Sequence, residues 1–222
     1  MSLQQELDDL RAEFVRTAPP GRAALYDAKV EELQRNFPIE KALKTGDRAP
    51  DFTLPNPSGR PVSLSGILHG GSAVVTFYRG GWCPYCNLQL RAYQRALGEI
   101  TALGGRMIAI SPQLPDGSLT TAEMNKLSFD VLSDVGNRVA RSFGLVYALP
   151  DELRAALTSN GKALPGINGD DSWELPLPAT YVIASDRKIA LANIELDYRE
   201  RLEPDAIVAA LRSLRAGAAK AA

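Results

Sequence analysis

Residues 77–86 read Phe-Tyr-Arg-Gly-Gly-Trp-Cys-Pro-Tyr-Cys and contain both cysteines of the chain, three residues apart. An apolar, β-branched run at residues 73–78 leads into this stretch, and apolar residues follow it at intervals of four and three. That spacing is typical of a helix with one buried face. The pattern predicts a strand, a cysteine pair at its end and an amphipathic helix.

The position of the first cysteine favours thiol chemistry. Cys83 is predicted at the cap or first position of the helix, with Pro84 after it, where a missing N–H costs nothing. The partial positive charge of a helix start favours a thiolate, so the pKa of Cys83 is expected below that of an ordinary thiol. Cys86 lies one turn further on the core-facing stripe, so we expect it to be the less exposed sulfur and to resolve a disulfide formed on Cys83.

Two other interpretations of the cysteine pair are weighed against this one. Unreactive cysteines serve as small buried hydrophobes. A zinc site needs four ligands, whereas this chain offers two cysteines and the distant His69, so only a site shared between subunits would complete it. His69 lies in a Gly-rich loop and is interpreted as an ordinary loop residue. The sequence therefore calls for no metal and no cofactor.

The overall composition excludes several classes of partner. The 222 residues carry 25 Lys+Arg and 26 Asp+Glu, a net charge of −1, with a pI near 5.9. No basic stripe favours nucleic acid or an anionic membrane, and we expect neither partner. Residues 1–10 do not read as a secretory signal, and no apolar run approaches the roughly 18 residues of a membrane span. We expect a cytoplasmic protein, because a reducing compartment suits a catalytic thiol pair.

The chain is expected to divide into three parts. Residues 1–42 form an N-terminal extension of two amphipathic helices, at 2–14 and 23–37, which either cover the core or pair with a second subunit in a homodimer. Residues 43–216 form an α/β domain. Residues 217–222 are expected to fray.

Within the domain, a strand at 106–110 is the parallel partner that the strand at 73–78 requires across a helical crossover. Short strands are expected on either side of a turn at 56–60, and a segment rich in Gly, Asn and Asp at 159–173 is expected to border the site. The remaining predicted elements are helices at 120–127, 135–143, 151–157 and 204–214, strands at 129–132, 179–184 and 188–194, and a strand or loop at 145–149.

This order of elements, with a proline directly before the last strand pair, resembles the thioredoxin-like fold, a central mixed β-sheet flanked by helices. In that fold a cis proline faces the reactive cysteines. Pro178, in the segment Leu-Pro-Ala-Thr-Tyr at 177–181, looks like its equivalent. We count Pro178 and the nearby Thr180 among the supporting site residues.

Two longer matches resemble the peroxiredoxin (alkyl hydroperoxide reductase/thiol-specific antioxidant) branch of that fold, in its Cys-x-x-Cys subgroup. Residues 46–54, Gly-Asp-Arg-Ala-Pro-Asp-Phe-Thr-Leu, are similar to the opening of the family, and residues 190–199 resemble its closing strand and loop. The similarity covers about residues 43–214. It implies an antioxidant oxidoreductase that reduces hydroperoxides and is itself reduced by an external dithiol donor of the thioredoxin or glutathione type.

The chain departs from the family pattern at the reacting centre. Aligning the family motif Pro-x-x-x-Thr-x-x-Cys with Cys86 as the peroxide-reacting cysteine puts Arg79 at the Pro and Cys83 at the Thr. The later Arg of the family falls at Pro178. Both lost groups are donors that would stabilise the reacting oxygens. Arg79 is a candidate substitute, and a surface or salt-bridged role is its alternative.

Three hypotheses for function stay open. In the peroxiredoxin hypothesis a hydroperoxide oxidises Cys86 to a sulfenic acid, which condenses with Cys83. In the thioredoxin hypothesis Cys83 attacks a protein or small disulfide, Cys86 resolves the product, and Trp82, Tyr85 and Pro178 shape a shallow peptide-binding surface. The third hypothesis is a redox-inactive, dimeric interaction module.

Overall fold

The computed structural model describes residues 1–221, the last four of them by backbone alone. The helices are α1 (Leu3–Thr17), α2 (Arg22–Asn36), α3 (Leu64–Leu68), α4 (Pro84–Ala102), α5 (Pro115–Met124), α6 (Arg138–Ser142), α7 (Asp151–Ser159), α8 (Leu164–Asn168) and α9 (Pro204–Ala221). The strands are β1 (Thr53–Pro55), β2 (Pro61–Ser63), β3 (Ser72–Phe77), β4 (Gly105–Ser111), β5 (Asp130–Ser133), β6 (Val146–Ala148), β7 (Glu174–Pro176), β8 (Ala179–Ile183) and β9 (Ile189–Ile194). Among the described residues, none of these helices combines the length and hydropathy that crossing a bilayer requires.

The apolar run before the cysteines is the middle strand of a five-stranded sheet in the order β5-β4-β3-β8-β9. β3 pairs in parallel with β4 and antiparallel with β8, so the sheet is mixed. The unit β3–α4–β4 is the predicted helical crossover. The central mixed sheet flanked by helices, predicted from the order of elements, is confirmed.

The sheet separates two apolar cores, because successive side chains of a strand point to opposite faces. On one face Val75 and Phe77 of β3 pack with α3, α6 and Phe143. On the other face Val74 and Tyr78 pack with residues of α1, α4 and α9, and both cysteines belong to this second core. The cysteine pair is therefore built into the helix-covered side of the sheet.

The N-terminal helix covers the core. Leu3 and Leu7 of α1 are 2% exposed and share the second core with Cys86 and the apolar face of α4. The first amides of α1 donate to the Glu203 carboxylate, from Leu3 at 3.3 Å and Gln4 at 2.8 Å. A carboxylate is favourable at the positive end of a helix. This face of α1 is thus used within the chain and is not free to pair with a second subunit.

Several local predictions need correction. α3 and α8 were not predicted, because five-residue helices are too short to show a period. The helix expected at 135–143 is limited to Arg138–Ser142. Residues 217–221 of the expected frayed tail continue α9. Position 222 lies outside the described residues.

The cis proline implied by the resemblance is not present, since every peptide bond among the described residues is trans. Pro178 lies in extended chain that already carries strand-like hydrogen bonds. The preceding amide, of Leu177, donates to the Leu145 carbonyl, and the carbonyl of Pro178 accepts from the Glu195 amide, both at 2.9 Å. The chain therefore enters β8 directly after a trans peptide bond at Pro178.

Candidate active site

The loop between β3 and α4 sets the position of the first cysteine. Cys83 is the N-cap of α4 and Pro84 is its first residue, as the spacing predicted. The Cys83 amide donates to the Gly80 carbonyl at 3.1 Å, which closes the turn. Gly80 has a φ of +143°, and a Cβ there would lie 2.4 Å from Trp82 Nε1. Only glycine fits this position.

Both cysteines are reduced and buried, with Cys83 1% and Cys86 0% exposed. The expectation of a shallow binding surface around them is therefore wrong. Instead, Cys83 lines a cavity of about 470 Å³, together with Trp82, Pro84 and Tyr85. Pro178 is buried outside the wall of this cavity. A molecule in this cavity contacts Cys83, whereas Cys86 does not line it.

Cys86 receives the positive charge of a buried arginine. Arg201 Nη2 donates to Cys86 Sγ at 3.3 Å, and Arg201 is 5% exposed. Burial acts to raise the pKa of Cys86, but hydrogen bonding from Cys83, the Arg201 and Arg79 charges and the Arg79 backbone amide together hold that pKa well below its usual range. Cys86 is therefore the sulfur that carries negative charge.

Cys83 has the opposite electrostatics. Burial raises the pKa of the Cys83 thiol, and the hydrogen bond to Cys86 and the negative charge there raise it further, although Arg79 and Arg201 act against this. The expectation that the helix start would ionise Cys83 is therefore wrong. The effect of a helix start is modest, and here desolvation outweighs it. Cys83 therefore remains a thiol beside the Cys86 thiolate.

The guanidinium of Arg201 is fixed by further hydrogen bonds. Its Nε donates to Gln89 Oε1 at 2.8 Å, and its Nη1 donates to the carbonyls of Glu200, at 2.6 Å, and Tyr198. Gln89 lies one turn after Cys86 in α4, so one helix holds both the sulfur and the acceptor that orients the arginine. This arrangement leaves Nη2 directed at the sulfur.

Gln89 also hydrogen-bonds to a group of buried polar side chains. Gln89 Nε2 donates to Tyr93 Oη at 3.1 Å and lies 3.4 Å from Thr180 Oγ1. Thr180 Oγ1 is 3.1 Å from Tyr93 Oη and 3.1 Å from Thr76 Oγ1. Thr180, a predicted site residue, therefore acts on the cysteines only through Gln89 and Arg201.

Arg79 is not a surface residue, and among the described residues its side chain acts on Cys86 through its charge and not through a hydrogen bond. It is 6% exposed, and its Cζ lies 4.1 Å from the centroid of the Tyr198 ring and 4.9 Å from that of Trp82. Such cation–π contacts partly offset burial of the charge. Its Nε has no hydrogen-bond partner among the described residues. The guanidinium instead lines the cavity beside Cys83.

Similarity to known proteins identifies the family of this chain. Residues 45–192 match the model of the AhpC/TSA family. The chain belongs to this family. It is therefore a peroxiredoxin, a thiol-dependent peroxidase, and peroxiredoxins act on hydroperoxides with a thiol reductant.

Individual peroxiredoxins show how far the similarity extends. The chloroplastic peroxiredoxin Q of Sedum lineare is 32% identical over 143 residues, covering 63% of this chain and 76% of that protein. Peroxiredoxin Q of Oryza sativa subsp. japonica is 33% identical over 149 residues, covering 65% and 66%. The crystal structure of peroxidoxin BcpB from Mycobacterium tuberculosis aligns with a TM-score of 0.61 at 25% identity, covering 78% of this chain and 98% of that one.

In this peroxiredoxin, sequence reasoning located the cysteines but missed Arg201 and Gln89. Arg201 is 115 residues from Cys86 in the chain, and it follows the segment that resembles the closing loop of the family. Gln89 could be recognised from the sequence, because it is a polar residue on the predicted buried side of an amphipathic helix. In the structure it is 1% exposed. A buried amide of this kind is expected to serve as a hydrogen-bonding group.

Proposed function

We propose that this peroxiredoxin reduces hydroperoxides with the Cys86 thiolate and completes its oxidation as a Cys83–Cys86 disulfide. The observation that carries the proposal is the 3.3 Å contact between Arg201 Nη2 and Cys86 Sγ. The thiolate is the nucleophilic form of cysteine. Of the two sulfurs, Cys86 has the lowered pKa and Cys83 the raised one.

In the first step the Cys86 thiolate attacks the terminal oxygen of the hydroperoxide. An S–O bond forms, the O–O bond breaks, and the organic oxygen leaves as an alkoxide that takes a proton to become an alcohol. The Cys83 thiol, the neighbouring sulfur of the pair, donates that proton. Cys86 is then a sulfenic acid and Cys83 a thiolate.

In the second step the Cys83 thiolate attacks the sulfur of the Cys86 sulfenic acid. The S–S bond forms and the S–O bond breaks, so hydroxide leaves and takes a proton to become water. An external dithiol then reduces the disulfide by thiol–disulfide exchange and is itself oxidised. We propose that this dithiol attacks at Cys83, because Cys83 is the sulfur of the pair that lines the cavity.

This assignment accounts for the two groups that the chain lacks relative to the family motif. Cys83 occupies the position of the missing Thr, and its S–H takes over the hydrogen bond to the reacting sulfur. Arg201, from the loop before α9, takes over the charge of the Arg that Pro178 replaces. Both replacements supply a fixed donor in a buried site, where electrostatic stabilisation of the reacting oxygens is strongest.

The proposal is tested by trapping the oxidised sulfur. Reduced Cys83→Ser protein is mixed with one equivalent of hydrogen peroxide and a dimedone probe, and the labelled peptide is identified by mass spectrometry. Cys86 is expected to react at least about 100-fold faster than free cysteine at the same pH, in keeping with the value of preorganised donors. The matched Cys86→Ser protein is expected to react no faster than free cysteine. Rapid labelling of Cys83 in that second variant would contradict the proposal.

A second candidate function, thiol–disulfide exchange, is favoured by one observation. Cys83 faces the cavity, whereas Cys86 lies behind it. Because Cys83 is 1% exposed, the disulfide that it attacks would have to be a small molecule that enters the cavity. This candidate predicts that Cys86→Ser protein accumulates a mixed disulfide with oxidised glutathione. If no adduct mass is found, this candidate fails and peroxide reduction is unaffected.

We propose a cytoplasmic setting with a reductant of the thioredoxin or glutathione type, since the disulfide must be reduced after each turnover. The two types are distinguished by the cavity. The cavity of about 470 Å³ that Cys83 lines favours a small thiol, such as a tripeptide, over a protein donor. Peroxide consumption with each donor in turn, under stopped flow, measures which one sustains turnover.

A further inference from the structure

We infer that the N-terminal helices α1 and α2 are part of the active site, where they form one wall of a binding cavity for the hydrocarbon group of a bulky organic hydroperoxide. This inference rests on the proposed peroxide reduction and adds the element that selects the substrate. The family match begins at residue 45, so the wall is built by residues that precede it.

The two helices contribute directly to the cavity that contains Cys83. The apolar and aromatic side chains that line it from α1 and α2 are Phe14, Tyr26, Val30 and Leu33, and α2 adds the polar Lys29, Glu32 and Asn36. Those that line it from α7 and the segment before it include Leu149, Leu153 and Leu157. The cysteine end is formed by Cys83, Arg79 and Tyr85. The cavity therefore lies between the extension and the domain and leads to the reactive pair.

The cavity lining is mostly apolar, with polar groups at the cysteine end and the polar side chains Lys29, Glu32, Asn36, Asn160 and Lys162 elsewhere. Arg79 Nε and Tyr85 Oη have no hydrogen-bond partner among the described residues, although these side chains are only 6% and 5% exposed. Buried donors normally have an acceptor. A peroxide group at this end would lie beside Cys83 and the Arg79 side chain while a hydrocarbon tail covers the apolar wall. A molecule with one polar end and an apolar body matches this distribution.

The size of the cavity favours a large substrate over a small one. At about 470 Å³ it far exceeds hydrogen peroxide, which is little larger than a water molecule. A small peroxide would leave apolar walls in contact with water, whereas a hydrocarbon group would displace that water. Selectivity should therefore depend on the wall that α2 provides.

The wall is fixed in place by ion pairs to two other elements. Lys29 of α2 contacts Glu152 of α7 at 2.8 Å, which ties the two sides of the cavity together. Asp27 of α2 pairs with Arg199, in the loop that also carries Arg201. The position of α2 is thus coupled to the segment that holds the Cys86 thiolate.

The test introduces a larger side chain from the extension into the cavity. The Val30→Phe variant is assayed with cumene hydroperoxide and with hydrogen peroxide under a saturating thiol reductant, and kcat/KM is compared. The ratio of kcat/KM for cumene hydroperoxide to that for hydrogen peroxide is expected to fall roughly tenfold or more, as when a hydrophobic pocket loses space for a few carbons. Val15→Phe is the matched control, since Val15 is 58% exposed on α1. Leu153→Phe fills the same space from the opposite wall if Val30→Phe does not fold.

Binding of the unreactive alcohol 2-phenylpropan-2-ol separates this inference from the proposed function. In a Trp173→Phe background Trp82 is the remaining indole of the two in the chain. The alcohol is expected to shift its fluorescence, and Val30→Phe, but not Val15→Phe, is expected to abolish the shift. Absence of a shift, or a kcat/KM ratio that neither filling variant alters, would overturn the inference. Rapid sulfenic acid formation on Cys86 with hydrogen peroxide would still support the proposed function in that case.

Discussion

At the scale of single residues, the chemistry depends on which of two buried sulfurs carries the charge. Burial alone disfavours the thiolate of both. The interaction with the Cys83 thiol and the direct 3.3 Å contact with Arg201 make them unequal, because both favour the thiolate of Cys86. A charge-assisted hydrogen bond at this distance outweighs the partial charge of a helix start, which acts on Cys83 without a direct donor. The more deeply buried sulfur is thus the ionised one.

The two single-cysteine variants should show this difference as separate pH profiles. Because the pKa of Cys86 is lowered, its alkylation rate in Cys83→Ser should stay on its plateau through neutral pH and fall only when acid protonates the thiolate. In Cys86→Ser the contributions of Cys86 to the raised pKa of Cys83 are lost, but burial, the largest contribution, remains, so alkylation of Cys83 should have its midpoint at a higher pH than that of Cys86 in Cys83→Ser. Iodoacetamide rates against pH measure both midpoints. The opposite order would refute the charge assignment.

Replacing Arg201 should remove the charge that ionises Cys86. In Arg201→Gln the pKa of Cys86 should rise, and kcat/KM for hydrogen peroxide at pH 7 should drop about tenfold or more, since one pKa unit corresponds to a factor of ten in thiolate population. Arg201→Lys keeps the charge, so its kcat/KM for hydrogen peroxide should lie between that of Arg201→Gln and that of the wild type. Arg212→Gln, which removes an exposed ion pair to Glu99, is the control and should react normally.

Equal peroxide rates in Arg201→Gln and Arg212→Gln would show that Arg201 has no part in activating Cys86. A lower rate caused by misfolding alone is recognised by its pH profile. Lost charge shifts the midpoint of the profile towards alkaline pH, whereas partial unfolding lowers the plateau without moving the midpoint.

At the scale of secondary-structure elements, one loop connects every part of the site. The segment between β9 and α9 places the Tyr198 ring over Arg79, pairs Arg199 with Asp27 of α2, and directs Arg201 at the sulfur. The Tyr198 ring also meets Tyr85 edge-on, with centroids 5.6 Å apart. A displacement of this loop would therefore change the extension, the cavity and the thiolate together.

The sequence was informative where the signal is local. The strand before Cys83, the proline after it and the apolar stripe behind it lie within a few residues of one another, so the crossover unit and the N-cap were predicted correctly. Arg201 could not be found in this way, because a lone arginine in a loop has no period and its partner is 115 residues away. The charge order of the cysteines depends on that arginine and was therefore predicted the wrong way round.

Replacing Gln89 in α4 should lower both the free energy of unfolding of the protein and its rate of reaction with peroxide. Gln89→Met has a similar volume but leaves Arg201 Nε without its acceptor and removes one of the partners of the Tyr93 hydroxyl. A buried polar group without its partner costs about 1–3 kcal/mol, so the free energy of unfolding in urea should fall by that amount. The peroxide rate should fall several-fold, because Arg201 is no longer oriented. Gln94→Met, which removes an exposed bond to Ser128, is the control, and an equal loss in both variants would refute this role.

At the scale of the whole molecule, the extension and the catalytic domain share a core. Leu3 and Leu7 of α1 belong to the same apolar cluster as Cys83, Cys86 and Ile207. The cavity lies beside this cluster, with α2 on one side and α7 on the other. The extension therefore contributes to stability through α1, and to the site through Phe14 of α1 and the side chains of α2.

Because α1 shares the core of the domain, shortening a buried side chain of α1 should lower the stability of the whole chain. The chain should still unfold in a single transition. Leu7→Ala removes a side chain that is 2% exposed, and Leu-to-Ala changes in cores cost about 2–5 kcal/mol. Leu119→Ala, at a position 46% exposed in α5, should cost only about 0.5 kcal/mol. Urea unfolding, followed by far-UV circular dichroism and by tryptophan fluorescence, should give coincident transitions in both variants. An early transition seen only by circular dichroism in Leu7→Ala would mean that α1 unfolds alone, because neither tryptophan lies in the extension.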